Sequence, residues 1–122
     1  MGRILLVEDD IAISQLYKIK LEIHDHTVLQ AFNGRDALNH LTKFTPDIIL
    51  LDLRLPFMSG DKFLEKLRQM PDHELTPVIV LTNVSRDEAP RTLWHLNISG
   101  YFVKAHHTPA ELVEIVASHL EN

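Results

Sequence analysis

Acidic residues and one lysine directly follow three separate apolar runs of this 122-residue chain. Glu8 and Asp9 follow the first of these runs, Asp52 follows the second and Lys104 follows the third. If the runs are neighbouring strands of an open parallel sheet, their carboxyl ends meet in one crevice, where such sheets bind ligands. Bare carboxylates at that range repel one another, so the arrangement favours a bound divalent cation. Because the available ligands are oxygens, the sequence predicts Mg²⁺.

The elements that must position these residues are short apolar runs that alternate with longer amphipathic stretches. This alternation is typical of βαβ units and predicts an α/β fold with a five-stranded parallel sheet. The third and fourth runs are apolar almost throughout, so we expect interior strands there, covered on both faces. The predicted strands are Arg3–Val7, Thr27–Ala31, Asp47–Leu51, Val78–Leu81 and Gly100–Val103.

Five helices are expected, one after each strand. The first covers about Ile11–Ile23, the second begins after the N-cap Asn33, and the third follows Gly60. Pro90 lacks the N–H that a helix interior requires, so the fourth helix is expected to begin near Asp87 or later.

The fifth helix has the best-defined start, because Thr108-Pro109-Ala110-Glu111 combines a capping box with proline at the first helical position. In the fourth helix, Ala89, Leu93 and Leu96 form the inward stripe and leave Trp94 at its margin. Trp94 is then either an anchor for a partner or a ring that packs over the edge of its own domain.

Composition limits the class of protein. Hydrophobic residues make up 45% of the chain and charged residues 24%, which predicts one folded domain over residues 1–122. Without cysteine there is no disulfide and no thiolate metal site, and the N-terminus lacks a secretory pattern, so we expect a cytoplasmic protein. No apolar stretch approaches the roughly 20 residues that cross a bilayer. The net charge of −5 argues against direct binding to nucleic acid.

Five motifs in order resemble the receiver domain of two-component response regulators over essentially the whole chain. They are Glu8-Asp9-Asp10, Asp52 with Pro56 and Gly60 downstream, Leu81-Thr82, Tyr101 and Lys104. The resemblance implies a flavodoxin-like (βα)5 doubly wound sandwich with strand order 2-1-3-4-5. The chain ends just after the fifth predicted helix, so it is expected to be either a stand-alone receiver or a piece of a larger regulator.

The same resemblance implies that Asp52 accepts a phosphoryl group from a sensor histidine kinase or a histidine phosphotransfer protein. A carboxylate oxygen is a competent nucleophile toward phosphorus, and the product is an acyl phosphate. Mg²⁺, Lys104 and Thr82 would then neutralise the charge on the transferring group. The receiver would catalyse only its own phosphorylation and dephosphorylation.

For the metal, the resemblance implies Asp9 and Asp52 as ligands, together with the backbone carbonyl of Arg54 and Glu8 through a water. An octahedral Mg²⁺ that keeps several waters needs no more protein ligands than these. Asp10 is expected near the rim.

The resemblance also implies a two-state switch. The Thr82 hydroxyl would move to a phosphoryl oxygen and Tyr101 would rotate inward behind it. The readout face would be the fourth helix, the fifth strand and the fifth helix. That face would bind a downstream effector protein or domain, or would form a homodimer.

Departures from the family pattern leave an alternative open. Ala105 stands where a proline with a cis peptide bond is common; a cis bond to alanine costs about 3–4 kcal/mol, so this bond is either trans or strained. Phe57 replaces a common glycine and would bend the loop or cover the site. Both support a degenerate receiver that binds partners without phosphorylation. Arg54 and Asn83 flank the predicted phosphoryl site and are expected to tune water access.

Other readings of the acidic residues and histidines are less favoured. A flavodoxin-like cofactor carrier needs a phosphate-cradling loop after the first strand, where Glu8, Asp9 and Asp10 would repel a phosphate. Phosphatases of the haloacid dehalogenase type place the nucleophilic aspartate after the first strand, whereas Asp52 follows the third. The pairs His24/His26 and His106/His107 are expected to be surface residues rather than metal ligands.

Overall fold

Five parallel strands form a single sheet at the centre of the structure, a computed structural model that describes residues 2–120. The strands are β1 (Arg3–Val7), β2 (Thr27–Ala31), β3 (Ile48–Leu51), β4 (Val78–Thr82) and β5 (Gly100–Val103). Their order in the sheet is β2-β1-β3-β4-β5, which confirms the predicted fold class and strand order. The third and fourth strands are interior, as their apolar sequences predicted.

Within residues 2–120, four α-helices cover the two faces of the sheet. They are α1 (Ile11–Ile23), α2 (Gly34–His40), α3 (Gly60–Arg68) and α4 (Pro109–Leu120). Helix α1 packs beside α4 on one face, and α2 packs beside α3 on the other.

Alternate residues of each strand point to opposite faces and build two cores. In β1, Ile4 and Leu6 pack with α1 and α4, whereas Leu5 and Val7 pack with α2 and α3. Each aliphatic side chain that is fully buried between the sheet and the helices stabilises the fold by about 1.5–3 kcal/mol.

The predicted helix starts are supported by capping bonds. Asn33 accepts a hydrogen bond at Oδ1 from the backbone N–H of Asp36, at 2.8 Å. At the start of α4, the Thr108 N–H donates to Glu111 at 2.7 Å, and the Glu111 N–H donates to the Thr108 hydroxyl at 3.1 Å. The capping box therefore forms as the sequence predicted.

The predicted fourth helix is wrong. The segment 83–99, between β4 and β5, contains two short 3₁₀ helices, Arg86–Glu88 and Arg91–His95. Ala89, between them, has an extended backbone with φ −68° and ψ 148°, because a residue before proline avoids the helical region. The inward stripe nevertheless packs as expected, since Ala89 and Leu93 are buried.

Arg68, at the end of α3, fixes the far end of the 83–99 segment. Its guanidinium donates to the carbonyls of Leu96 at 2.8 Å and Asn97 at 3.0 Å. It also donates to the carbonyls of His73 at 3.0 Å and Thr76 at 2.8 Å, before β4. Burial lowers the pKa of Arg68, but these charge-assisted bonds satisfy the group. The segment is therefore held in place without a regular helix.

Candidate functional site

The carboxyl ends of β1, β3, β4 and β5 bring distant polar residues to one edge of the sheet. Glu8 and Asp9 follow β1, Asp52 follows β3, Thr82 ends β4 and Lys104 follows β5. Each of the three acidic residues offers a carboxylate oxygen within 4.8 Å of the others. The parallel-sheet geometry thus gathers residues that lie almost a hundred positions apart.

Lys104 joins two of the carboxylates. Its Nζ donates to Oδ2 of Asp52 at 2.9 Å and also donates to the Glu8 carboxylate. Burial alone would lower the pKa of Lys104, but the hydrogen bonds and charges of Glu8 and Asp52 outweigh burial and raise it. The lysine is therefore a fixed positive charge at neutral pH.

Glu8 is buried and held from two sides. Its Oε2 accepts the backbone N–H of Asp10 at 3.0 Å, in addition to the bond from Lys104. Burial raises the pKa of Glu8, and these two donors only partly offset that effect. Asp9 is exposed, so it is the member of the acidic cluster most accessible from solvent. The side chain of Asp10 instead caps α1, since its Oδ1 accepts the Ile13 N–H at 3.0 Å.

Asp52 lies in a loop that requires glycine nearby. Its Oδ1 accepts the backbone N–H of Arg54 at 3.3 Å, and Oδ2 contacts Lys104. The backbone N–H of Gly60 donates to the Leu53 carbonyl at 2.9 Å. A Cβ at Gly60 would lie 2.2 Å from the carbonyl oxygen of Asp52, so no larger residue fits without moving this loop.

The donor set fits a hard divalent cation. Glu8, Asp9 and Asp52 supply carboxylate oxygens within a few ångströms, and Lys104 neutralises only part of their charge. Mg²⁺ prefers oxygen ligands of this kind. The acidic cluster is therefore compatible with Mg²⁺.

Thr82 and Tyr101 are connected through one residue, Val84. The Thr82 hydroxyl, fully buried, accepts the Val84 N–H at 3.3 Å. The Tyr101 hydroxyl donates to the Val84 carbonyl at 2.6 Å. Burial raises the pKa of Tyr101, so its phenol stays protonated and remains a donor. The tyrosine that the sequence assigned to a switch thus lies in the inward position.

Arg86 and Trp94 surround the ring of Tyr101. The Trp94 and Tyr101 ring centroids lie 5.3 Å apart, with planes tilted by 43°. The Arg86 guanidinium lies 5.3 Å from the Tyr101 ring and 5.4 Å from the Trp94 ring. Trp94 therefore packs over its own domain edge, and it is still 41% exposed. Sequence patterns give no signal for Arg86, because its contact depends on the irregular fold of the 83–99 segment.

Both departures from the family pattern are accommodated. Among residues 2–120 there is no cis peptide bond, so the Lys104–Ala105 bond is trans. Phe57 adopts the left-handed conformation, φ 65°, that favours glycine, and its side chain is 76% exposed. Arg35 lies over its ring at 5.0 Å. Phe57 keeps its ring in solvent rather than over Asp52.

The side chain of Asn83, the residue after Thr82, contacts the turn that follows β5. Its Oδ1 accepts the backbone N–H of Ala105 at 3.1 Å.

The prediction that the paired histidines lie at the surface needs a correction. His26 is buried, and its Nδ1 accepts the Gly2 N–H at 2.9 Å. His24 and His106 are exposed as expected, and His107 is half-buried beside the ring of Phe102.

The outer face of α1 is unusually apolar. Its exposed aliphatic residues are Ile11, Leu16, Ile19 and Ile23. A small cleft beside this face is lined by Leu16, Tyr17, Asn83, Lys104 and Ala105, among others. Leu16 therefore belongs both to this apolar face and to the cleft that contains the lysine of the acidic site.

Comparison with known proteins places the chain in a family. Residues 4–117 match the model of the response regulator receiver domain, so the chain belongs to that family. It is 34% identical to the transcriptional regulatory protein YdfI of Bacillus subtilis over 85% of this chain and 48% of YdfI. It is 33% identical to the phosphate regulon transcriptional regulatory protein PhoB of Rhizobium meliloti, over 96% of this chain and 52% of PhoB. The chain thus spans about half the length of these curated relatives.

A solved structure agrees with this assignment. The chemotaxis response regulator CheY4 of Vibrio cholerae superposes with a TM-score of 0.88 and 28% identity, covering 98% of both chains. Among residues 2–120, no helix is both long and apolar enough to span a lipid bilayer.

Proposed function

We propose that this receiver is a phosphorylation-dependent switch of a two-component phosphorelay, with Asp52 as the phosphoryl acceptor. The observation that carries the proposal is the contact between Lys104 Nζ and Oδ2 of Asp52, 2.9 Å apart, within a cluster of carboxylates. Lys104 and Asp52 are both largely buried, so the ammonium group supplies a fixed positive charge where the negative charge of a phosphoryl group can be stabilised. Residues 1–122 would act as one domain, and the cytoplasmic location expected from the sequence belongs to this proposal.

In the proposed reaction, a carboxylate oxygen of Asp52 attacks the phosphorus of a phosphohistidine. The phosphorus–nitrogen bond breaks, its electron pair leaves with the imidazole, and an acyl phosphate forms on Asp52. Lys104 and the hydroxyl of Thr82 would bond the phosphoryl oxygens, where charge must be stabilised. The chain would catalyse only this transfer and the hydrolysis that reverses its effect.

Mg²⁺ belongs to the same proposal. Asp9, Asp52 and the backbone carbonyl of Arg54 would hold the ion, with Glu8 bound through a water. When bound, the ion would supply further positive charge for the phosphoryl oxygens.

The readout would pass through Val84. If Thr82 leaves the Val84 N–H for a phosphoryl oxygen, Val84, whose carbonyl also accepts the Tyr101 hydroxyl, loses one of its supports. The new interactions would favour one arrangement of the 83–99 segment, β5 and α4 over another. A downstream effector protein or domain would bind that face, and a homodimer through it is part of the same proposal.

The phosphodonor partner would dock over α1. Leu16, one residue of the exposed aliphatic face of this helix, lines the cleft that also contains Lys104. A sensor histidine kinase or histidine phosphotransfer protein with an apolar surface beside its phosphohistidine would cover this face and reach Asp52.

The degenerate receiver is the alternative, and it has less support. Ala105 and Phe57, which depart from the family pattern, were the reasons to consider this alternative. Lys104 nevertheless contacts Asp52, and the Phe57 ring lies in solvent. The test is incubation with acetyl phosphate and Mg²⁺, followed by the intact mass of the protein. The proposal expects one added phosphoryl group on the wild type and none on Asp52→Asn. An unmodified wild type would favour the degenerate receiver.

A further inference from the structure

We propose that Asn83 is a positioning residue that sets the place of Lys104 by holding the backbone of Ala105. The inference rests on the proposed transfer to Asp52 for its functional consequence. Its structural part, the immobilisation of Lys104, can be tested without any phosphoryl transfer.

The geometry brackets Lys104 between two tethers. On one side, Val103 pairs with Thr82 in the last rung between β4 and β5. On the other side, the Ala105 N–H donates to Oδ1 of Asn83 at 3.1 Å. The Asn83 side chain thus continues the connection between the two strand ends by one more step. Lys104 is the residue between the paired and the tethered position.

The bond from position 105 to Asn83 requires a residue other than proline at 105. A proline at 105 has no N–H, so it could not bond Asn83. Proline would also disfavour the helical conformation at the preceding residue, and Lys104 begins the 3₁₀ helix Lys104–His106. Ala105 supplies both the N–H and the freedom for this turn. The Asn83 amide therefore provides, through a hydrogen bond, a constraint that a rigid ring would otherwise provide.

The tether matters because lysine is a flexible side chain. Four rotatable bonds separate its ammonium group from the backbone, and a shift of the backbone changes which carboxylates the group reaches. The other bond of this turn, from the His107 N–H to the Lys104 carbonyl, is long at 3.3 Å. Loss of the Asn83 bond would leave the turn after β5 with that weak constraint.

The first experiment measures the reactivity of Lys104 with an amine-acylating reagent, by peptide mass mapping. Asn83→Ala should increase acylation at Lys104 about fivefold, the effect of losing one hydrogen bond of ordinary strength. Asn83→Asp keeps an acceptor oxygen and should retain the protection. Asn39→Ala, the same change at an exposed residue of α2, is the control and should leave Lys104 protected. Equal protection in wild type and Asn83→Ala would overturn the inference.

The second experiment is a double-mutant cycle on the rate of phosphorylation by acetyl phosphate with saturating Mg²⁺. Asn83→Ala should slow the reaction about fivefold when Lys104 is present and less than twofold in Lys104→Ala. An equal loss in both backgrounds would mean that Asn83 acts by itself, for example on water access, and would also overturn the inference. If the wild type is not phosphorylated at all, the proposed function fails, and the acylation experiment alone decides the role of Asn83.

Discussion

The hydroxyl of Tyr101 donates a hydrogen bond of 2.6 Å to the carbonyl of Val84, in the turn after β4. In the same turn, the Val84 N–H donates a hydrogen bond to the Thr82 hydroxyl. Tyr101 is thereby held inward by the same residue that bonds Thr82. Arg86 and Trp94 cover the remaining side of its ring.

This arrangement predicts that Arg86 helps to hold the inward position of Tyr101. Trp94 is the single tryptophan of the chain, so its fluorescence reports on the cluster directly. Arg86→Ala should shift Trp94 emission to longer wavelength and increase its quenching by acrylamide, with a loss of about 0.5–1 kcal/mol in the free energy of unfolding. Arg91→Ala, in the same segment, is the control. Unchanged Trp94 emission in Arg86→Ala would show that the cation–π contacts do not order the cluster.

Phe57 is predicted to reduce stability where it stands. A non-glycine residue at φ 65° costs roughly 1 kcal/mol, and little is lost with a ring that is 76% exposed. Phe57→Gly should therefore raise the free energy of unfolding, by up to about 1 kcal/mol, in urea denaturation. Phe32→Gly, at an exposed phenylalanine without a positive φ, should lower it. A loss of stability in Phe57→Gly would contradict the strain that we assign to this backbone.

The exposed face of α1 gives a prediction that separates docking from chemistry. Ile19→Ser and Ile23→Ser should reduce phosphoryl transfer from a phosphorylated histidine phosphotransfer protein by tenfold or more, since each removes about 1.5 kcal/mol or more of apolar burial. Both variants should react with acetyl phosphate at the wild-type rate. Leu75→Ser, at another exposed leucine, is the control. Slower reaction with both donors would place these isoleucines in folding or catalysis rather than docking.

Protonation of the buried His26 is expected to reduce the free energy of unfolding in mild acid. Burial lowers its pKa below the ordinary value of 6.5, and its Nδ1 accepts a hydrogen bond from Gly2. The unfolded chain therefore binds a proton more readily than the folded chain, so the stabilisation is present above the unfolded pKa and is lost as pH falls through the folded pKa. Urea denaturation near pH 7.5 and near pH 5.5 should show a smaller acid-induced loss in His26→Gln than in the wild type. His24→Gln, an exposed neighbour, should keep the full loss; equal pH dependence in all three proteins would contradict the role of His26.

The sheet and the acidic site could be predicted because both depend on patterns along the chain. Apolar runs of four or five residues mark the strands, and the rule that parallel strands end at the same edge places Glu8, Asp52 and Lys104 together. The helix α1 was predicted with its observed bounds, Ile11–Ile23, because its apolar residues repeat at helical spacing.

The remaining features depend on contacts that spacing does not encode. Ala89, Leu93 and Leu96 have the spacing of a helix face, and the same spacing is satisfied by two 3₁₀ turns interrupted at Pro90. The bond from Ala105 to Asn83 joins residues 22 positions apart across two strand ends. Such a contact is determined by the folded backbone, so the sequence pattern alone does not predict it.

The residue that carries the phosphoryl group can be identified directly. The protein is phosphorylated with a phosphohistidine donor and Mg²⁺, the acyl phosphate is reduced with borohydride, and the peptides are mapped by mass spectrometry. Phosphorylation of Asp52 should give homoserine at position 52 and at no other acidic position. Reduction at Asp9 or Glu8, or a phosphoryl group that resists borohydride because it resides on a histidine of this chain, would contradict the assignment of Asp52.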